Sequence, residues 1–447
     1  MAKPNWKTPQ EWSEWVDWLS AGLHGRCRWR LPLLLLGILF AQGRRTVSSW
    51  LRAAGVSVDF ADYYYFIGSI GRKAETVATR LLILLLRRLP IGKRVLLALD
   101  DSPTKRYGPK VEGADVHHNP TPGPADQKYL YGHIWVALAL VLRHSLWGTI
   151  GLPLRAFLYV RKRTIPSIPA NYRWTFRTKL ELAGTLIRWA AGILHQAGKT
   201  VWVVADGAYA KRPFLKVALA AGVTVVSRLR KDAALRDLPP RRKKGQRRGR
   251  GRPPTYGKNR ISLAKRAGQP GGWQTAECTL YNQTATKTYK TFLATYVPAG
   301  GIIRVVLVKE DDGWVAFFCT DPEATVEEIL EAFADRAAIE QDFHDLKEVW
   351  GTGQQQVRNI WANLGVFHLN LWMHTLVELW AWNKPKGQIC NRRLCPWDDA
   401  TRRPSHADRR KALRHRIIRN ELLNITRGRS LPRKIIALTQ WLAILAA

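Results

Sequence analysis

Three acidic positions in this chain carry oxygen donors of the kind that hold divalent metal. Asp100, with Asp101 beside it, closes the run RVLLALDDS (94–102); Asp206 closes the apolar part of TVWVVADGAYA (200–210); Glu340 lies in the helix-forming segment DRAAIEQDFHDLKEVW (335–350). A carboxylate ending a buried strand is costly to desolvate unless a partner compensates it. If one carboxylate from each segment converged, the three would hold two Mg2+ ions and leave coordination positions for phosphate. Two metals about 4 Å apart can activate an attacking hydroxyl and stabilise a leaving oxygen, which is phosphodiester chemistry. The bland alternative is that each acid caps a turn or pairs with a nearby arginine.

Glu340 also belongs to a stripe. At about 100° per residue, Arg336, Glu340 and Lys347 fall within roughly 40° of one another on a helix, and Phe333 and Phe343 flank them. An Arg–Glu pair four apart would by itself stabilise a helix by only a few tenths of a kcal/mol. At the first acid, side chains alternate along a strand, so Asp100 and Asp101 cannot both face inward while it stays regular.

Charge narrows the partner. The 447 residues hold 71 Lys and Arg against 34 Asp and Glu, a formal charge of +37 spread over every region. Such self-repulsion gives a fold nothing and points to a polyanion, nucleic acid first, because each phosphate contact releases counterions. Twenty tryptophans and 46% hydrophobic residues exclude a wholly disordered chain. Five scattered cysteines suggest a reducing compartment. The opening MAKPNWKTPQEW lacks the apolar core of a secretory signal, and LPLLLLGILFA (31–41) and LLILLL (81–86) are too short to span a bilayer. A soluble, cytoplasmic protein with no membrane partner is expected. No phosphate-cradling glycine motif implies a nucleotide cofactor, and no Gly-x-Ser-x-Gly turn implies a serine hydrolase.

The elements that must position the acids change character along the chain. Residues 1–90 read as helical; within GRRTVSSWLRAAGVS (43–57), Thr46 can cap a short helix that Gly55 ends. That helix would turn Val47, Trp50 and Leu51 inward and present Arg44, Arg45 and Arg52, as a helix-turn-helix or simply as part of a bundle. From residue 94, short β-compatible runs alternate with a helix at 176–198, which predicts an α/β core over 91–238. PPRRKKGQRRGRGRPP (239–254) is a basic loop in which Arg250 and Arg252 resemble the arginine pair of a minor-groove hook. WQTAECTLY, KTFLATYVP, the run 303–309 and WVAFFCT predict a β insertion that completes 239–322. Helical periodicity resumes over 323–380, with Asp321 or Thr325 as cap, and 381–447 is a basic helical region. HHNPTPGPADQKYLYGH (117–133) carries three histidines, and its prolines predict a loop.

The spacing Phe333, Arg336, Glu340, Lys347 resembles the Tyr–Arg–Glu–Lys signature of one group of DDE transposases of bacterial insertion sequences, with its gaps of two, three and six residues. Phe333 departs from the pattern by lacking the phenol hydroxyl. LALDDS, VVADGAYAKRPF and WGTGQQQVR are also similar to that family. The resemblance implies an RNase H-like core with a β insertion between the second Asp and the Glu. It implies Asp100, Asp206 and Glu340 as catalytic ligands of two divalent ions, Mg2+ or Mn2+. Ser102, at the second position after Asp100, favours Asp100 over Asp101. Arg336 and Lys347 would hold DNA phosphates. The implied partners are double-stranded DNA, as element ends and as target, and further copies of the chain in a dimer or higher assembly near a bacterial nucleoid. The implied activity is cutting at terminal inverted repeats and joining the ends to target DNA.

Overall fold

The computed structural model describes residues 7–119, 127–240, 252–390, 397–399 and 401–425. Among the described residues five helices precede the first strand: α1 (Gln10–Ser20), α2 (Arg30–Phe40), α3 (Val47–Ala53), α4 (Phe60–Arg72) and α5 (Ala74–Arg88). Both short apolar runs are buried helix, in α2 and α5. At α3 the Thr46 side chain accepts from the Ser49 N–H, Val47, Trp50 and Leu51 are fully buried, and Gly55 follows at φ +76°. No described helix is long and apolar enough to cross a membrane.

The strands are β1 (Arg94–Lys105), β2 (Asp115–His118), β3 (Tyr129–His144), β4 (Gly148–Tyr159), β5 (Thr200–Ala205), β6 (Val223–Leu229), β7 (Leu235–Arg236), β8 (Arg260–Ile261), β9 (Gln274–Leu280), β10 (Gln283–Tyr296), β11 (Gly301–Glu310) and β12 (Gly313–Cys319). Between them lie α6 (Lys179–Gln196), α7 (Arg212–Ala220) and α8 (Leu263–Gly268). After them come α9 (Val326–Asp335), α10 (Ala337–Glu348), α11 (Ile360–Ala381), α12 (Lys386–Ile389) and α13 (His406–Ile425). The result is a mixed α/β fold. The twelve described strands join one sheet in the order β2-β3-β1-β5-β6-β12-β11-β10-β7-β8, with β4 on β3 and β9 on β10. Only β1–β5 and β5–β6 pair in parallel. The strands β9 to β12 form the expected meander, and β12 pairs with β6, so they extend the central sheet instead of standing apart from it.

One reading of the strands needs correction, and one strand was not expected. The first strand does not stop on its acids. It continues to Lys105 because β3 carries it along as an antiparallel partner as far as Lys105↔Gly132. What ends near Asp100 is the parallel neighbour, since the β1–β5 ladder closes at Leu99↔Ala205. The unexpected strand is β4. It contains Pro153, and the ladder jumps there from Leu138↔Arg155 to Ala139↔Pro153, leaving Leu154 as the extra residue of a bulge. A proline without an N–H is tolerated where the ladder is already broken.

The freed bulge carbonyls are used by α11. Thr375 Oγ1 donates to Pro153 O (2.6 Å) and Trp372 Nε1 to Leu154 O (3.0 Å). This helix is buried along nearly its whole length, as a segment apolar on all sides must be. It packs on β4, α10, α13 and, most extensively, α4, which fastens the N-terminal helices to the sheet.

Candidate active site

Alternation along β1 sends its two acids to different elements. Asp100 Oδ2 accepts from Arg336 Nη1 (2.8 Å), at the junction of α9 and α10. Asp101 is held by α6 and the turn after β5: Lys179 Nζ lies 2.6 Å from its Oδ2 and the buried Tyr209 hydroxyl donates to its Oδ1 (2.8 Å). Asp206 follows directly after β5, one position beyond the Leu99↔Ala205 pair, so it adjoins Asp100 across the parallel ladder. Arg336 reaches on to Glu340, with Nη2 2.6 Å from Oε1. The guanidinium therefore bridges the carboxylates of the first strand and the helix.

The electrostatics follow from this crowding. Burial lifts the Asp100 carboxyl to about 6, against the pull of Arg336 and of the Asp101 N–H that donates to it, and the Asp101 and Asp206 charges push it the same way as burial. Tyr209 is raised well above its ordinary value by burial first and by Asp101 second, which keeps it a hydroxyl donor. Glu340 is more than half exposed.

Whether these residues suit divalent ions can be judged from the cation already among them. Asp100 and Glu340 share one positive group, and their donors are all hard carboxylate oxygens, the set that Mg2+ and Mn2+ favour. Arg336 stands where positive charge is wanted and would have to give way to an ion shared by both acids. Among the described residues, no three of these carboxylates bring ligand oxygens within 4.8 Å of one another.

The signature segment is two helices that meet at Arg336, where i→i+3 bonds (Arg336 N to Phe333 O, Ile339 N to Arg336 O) tighten the turn. Thr325 caps α9 with a reciprocal bond from Glu328, so of the two expected caps it is Thr325 that acts. Phe333 packs on Phe317 (ring centroids 4.7 Å apart), beneath the Arg336 guanidinium. Lys347 is half-buried in the last turn of α10, two turns beyond Glu340.

The remaining expected DNA contacts are distributed differently. Arg44 and Arg52 are exposed near α3, whereas Arg45 is half-buried, its backbone N–H donating to Gln354 Oε1 (2.8 Å) in the WGTGQQQVR loop. Arg252 is exposed, and Arg250 lies outside the described residues.

The histidine segment is not simply a loop. His117 and His118 sit on β2 and His133 on β3, paired strands that flank residues 120–126, which lie outside the described residues. His133 is fully buried; Arg106 Nε donates to its Nδ1 (3.1 Å), so Nε2–H donates to Glu112 O (3.0 Å). Burial, with Arg106 adding to it, pushes the imidazole down to about 3. A folded pKa below the unfolded ~6.5 means that only the unfolded chain takes the proton, so this contribution is complete above that value and is lost as pH falls toward 3. Between pH 7.5 and 5 His133 should remove about 2 kcal/mol of stability. Urea midpoints of wild type and His133→Gln across that range should differ in slope by this amount, whatever the variant's baseline.

A family of DDE superfamily endonucleases matches residues 19–292, more than half of the chain, and the protein belongs to that family. The match takes in Asp100, Asp101 and Asp206 and ends before Glu340. Membership suggests a metal-dependent nuclease acting on DNA. Among curated proteins none matches the chain.

One polar cluster escaped the sequence reading altogether. Asp342 and Asp345 on α10, His374 and Glu378 on α11, and His406 and Arg409 on α13 are buried together on the side of α10 turned from Glu340. The available signal was a histidine and a glutamate four residues apart, His374 and Glu378, in the largely apolar IWANLGVFHLNLWMHTLVELWA.

Proposed function

We propose that this protein is a DNA transposase that binds the terminal inverted repeats of its element, cleaves the ends and joins them to target DNA. The observation that carries the reading is the contact chain Asp100–Arg336–Glu340 with Asp206 beside Asp100, drawn from three distant segments of a chain of charge +37. The strand order β4-β3-β1-β5-β6, with β1, β5 and β6 parallel, supports an RNase H-like core.

Asp100, Asp206 and Glu340 would hold Mg2+ or Mn2+, which supplies activation of the attacking oxygen and charge stabilisation on the leaving one. Arg336 and Lys347 would receive the phosphate whose charge replaces that of the carboxylates. Water attacks the phosphodiester first and leaves a 3′-hydroxyl; that hydroxyl then attacks a target phosphodiester and expels a second 3′-hydroxyl. Each step exchanges one oxygen for another at phosphorus, so one constellation serves both. Two DNA ends held together would require at least two copies of the chain.

Strand-transfer assays on precut ends separate this function from that of a nuclease without joining. Joined product is expected; hydrolysis alone would favour the nuclease. Binding should also depend steeply on salt. With six to ten phosphate contacts, affinity should fall by about 10³–10⁵ between roughly 50 and 200 mM salt. The Arg44→Ala, Arg52→Ala double variant should bind every duplex more weakly and show a shallower salt slope; an unchanged slope would remove α3 from the interface.

A further inference from the structure

The buried cluster behind α10 lines a cavity of about 400 Å³. Its internal bonds are incomplete. Glu378 Oε1 accepts from Arg409 Nη1 (2.9 Å) and from His406 Nδ1. His406 Nε2 accepts from Trp350 Nε1 (2.8 Å), so both nitrogens of that ring are engaged. His374 lies stacked on His406, 3.9 Å between centroids, and is 2% exposed. Neither of its ring nitrogens has a hydrogen-bond partner, and Asp342 Oδ2 and Glu378 Oε2 are also unsatisfied.

The distances around His374 are informative. Its Nε2 lies 3.8 Å from Asp342 Oδ1 and 3.9 Å from Asp345 Oδ2. These gaps are too long for hydrogen bonds and close to twice a metal–ligand bond of about 2.0–2.2 Å. Asp342 and Asp345 are three apart on α10 and so share a face. Arg402 and Arg403 stand at the cavity wall, Arg402 already paired with Asp398. Gly151 on β4 gives Asp342 its room, since a Cβ there would fall 2.0 Å from Asp342 Oδ2.

We propose that Asp345, His374 and His406, which each offer one ligand atom within 4.8 Å of the others, bind one divalent transition-metal ion of the Zn2+ or Mn2+ class, His406 exchanging its hydrogen bond from Trp350 for the metal. The ion fastens α10 to α11 from behind and so fixes the helix that carries Glu340. Two imidazoles beside a carboxylate select these ions over Mg2+, which takes oxygen donors. The site is separate from the carboxylates around Arg336 and does not depend on their role.

The test uses the full-length Asp100→Asn, Asp206→Asn, Glu340→Gln triple variant, which lacks the oxygen donors on the opposite face. After chelation, addition of Zn2+ and gel filtration, it should retain about one ion per chain and melt at a higher temperature than its chelated form. Co2+ in place of Zn2+ should give visible d–d bands of mixed nitrogen and oxygen ligation. Adding His374→Ala or Asp345→Ala should abolish retention and bands. A triple variant that retains no ion and shows no Co2+ bands overturns the proposal, as does undiminished retention after His374→Ala. If His374→Ala does not fold, the Co2+ spectrum of the triple variant decides alone.

Discussion

Replacing Glu340 by Gln should lower DNA cleavage by about a thousandfold or more while leaving DNA affinity within about twofold. Charge stabilisation at a two-metal centre amounts to several kcal/mol, and each ~1.4 kcal/mol is tenfold in rate. Gln keeps the shape of the side chain, and its amide oxygen can still accept from Arg336, so α10 keeps its place. Asp100→Asn should have an equal effect, because Asp100 stands beside Asp206 and opposite the same guanidinium. Asp101→Asn should retain cleavage within about tenfold of wild type. Its carboxylate is occupied by Lys179 and Tyr209 on the other face of β1, and Asn can still accept from Tyr209. Cleavage of an end-containing duplex, with anisotropy titrations of the same duplex, checks all three. Loss of cleavage in Asp101→Asn but not in Asp100→Asn would reverse the assignment. Loss of binding together with cleavage in Glu340→Gln would mark Glu340 as a structural residue.

What was legible in the sequence follows from what local rules can encode. The Thr46 and Thr325 caps lie within three residues of the N–H groups they serve, and both act as the spacing predicts. Asp206 follows its strand, where an apolar run meets a turn. The errors arise where a distant partner decides. β1 outruns its acids because β3 supports it, and β4 survives its proline because the ladder is broken by a bulge at that point. His117 and His118 are strand residues because β2 and β3 pair with each other. The bridging role of Arg336 was half visible: its pairing with Glu340 is a spacing of four, whereas its reach to Asp100 crosses 236 positions of sequence. The cluster around His374 depends on three helices whose contacts no local pattern specifies.

The other large effect should come from two glycines at a helix crossing. Where α4 crosses α11, a Cβ at Gly71 would lie 1.9 Å from the Trp361 carbonyl oxygen, and one at Gly365 would lie 2.1 Å from that of Ile67. Each helix thus lays its bare backbone on a carbonyl of the other, and neither neighbour is a side chain that could rotate away. Gly365→Val should destabilise the protein by about 3 kcal/mol or more, because a rigid branched side chain overpacks the crossing. Gly365→Ala should destabilise it by about 1–2 kcal/mol, the overpacking being partly offset by the better helix propensity of alanine. Combining Gly71→Ala with Gly365→Ala should cost little more than one change alone, since the separation that admits the first Cβ also admits the second. Urea midpoints of the two single variants and the double variant measure that coupling, and strictly additive losses would mean the two contacts yield independently. Cleavage should fall in parallel with stability: α4 follows the arginine-bearing α3, and α11 supports α10. Parting the helices would separate the surface proposed to grip DNA from the carboxylates proposed to cut it.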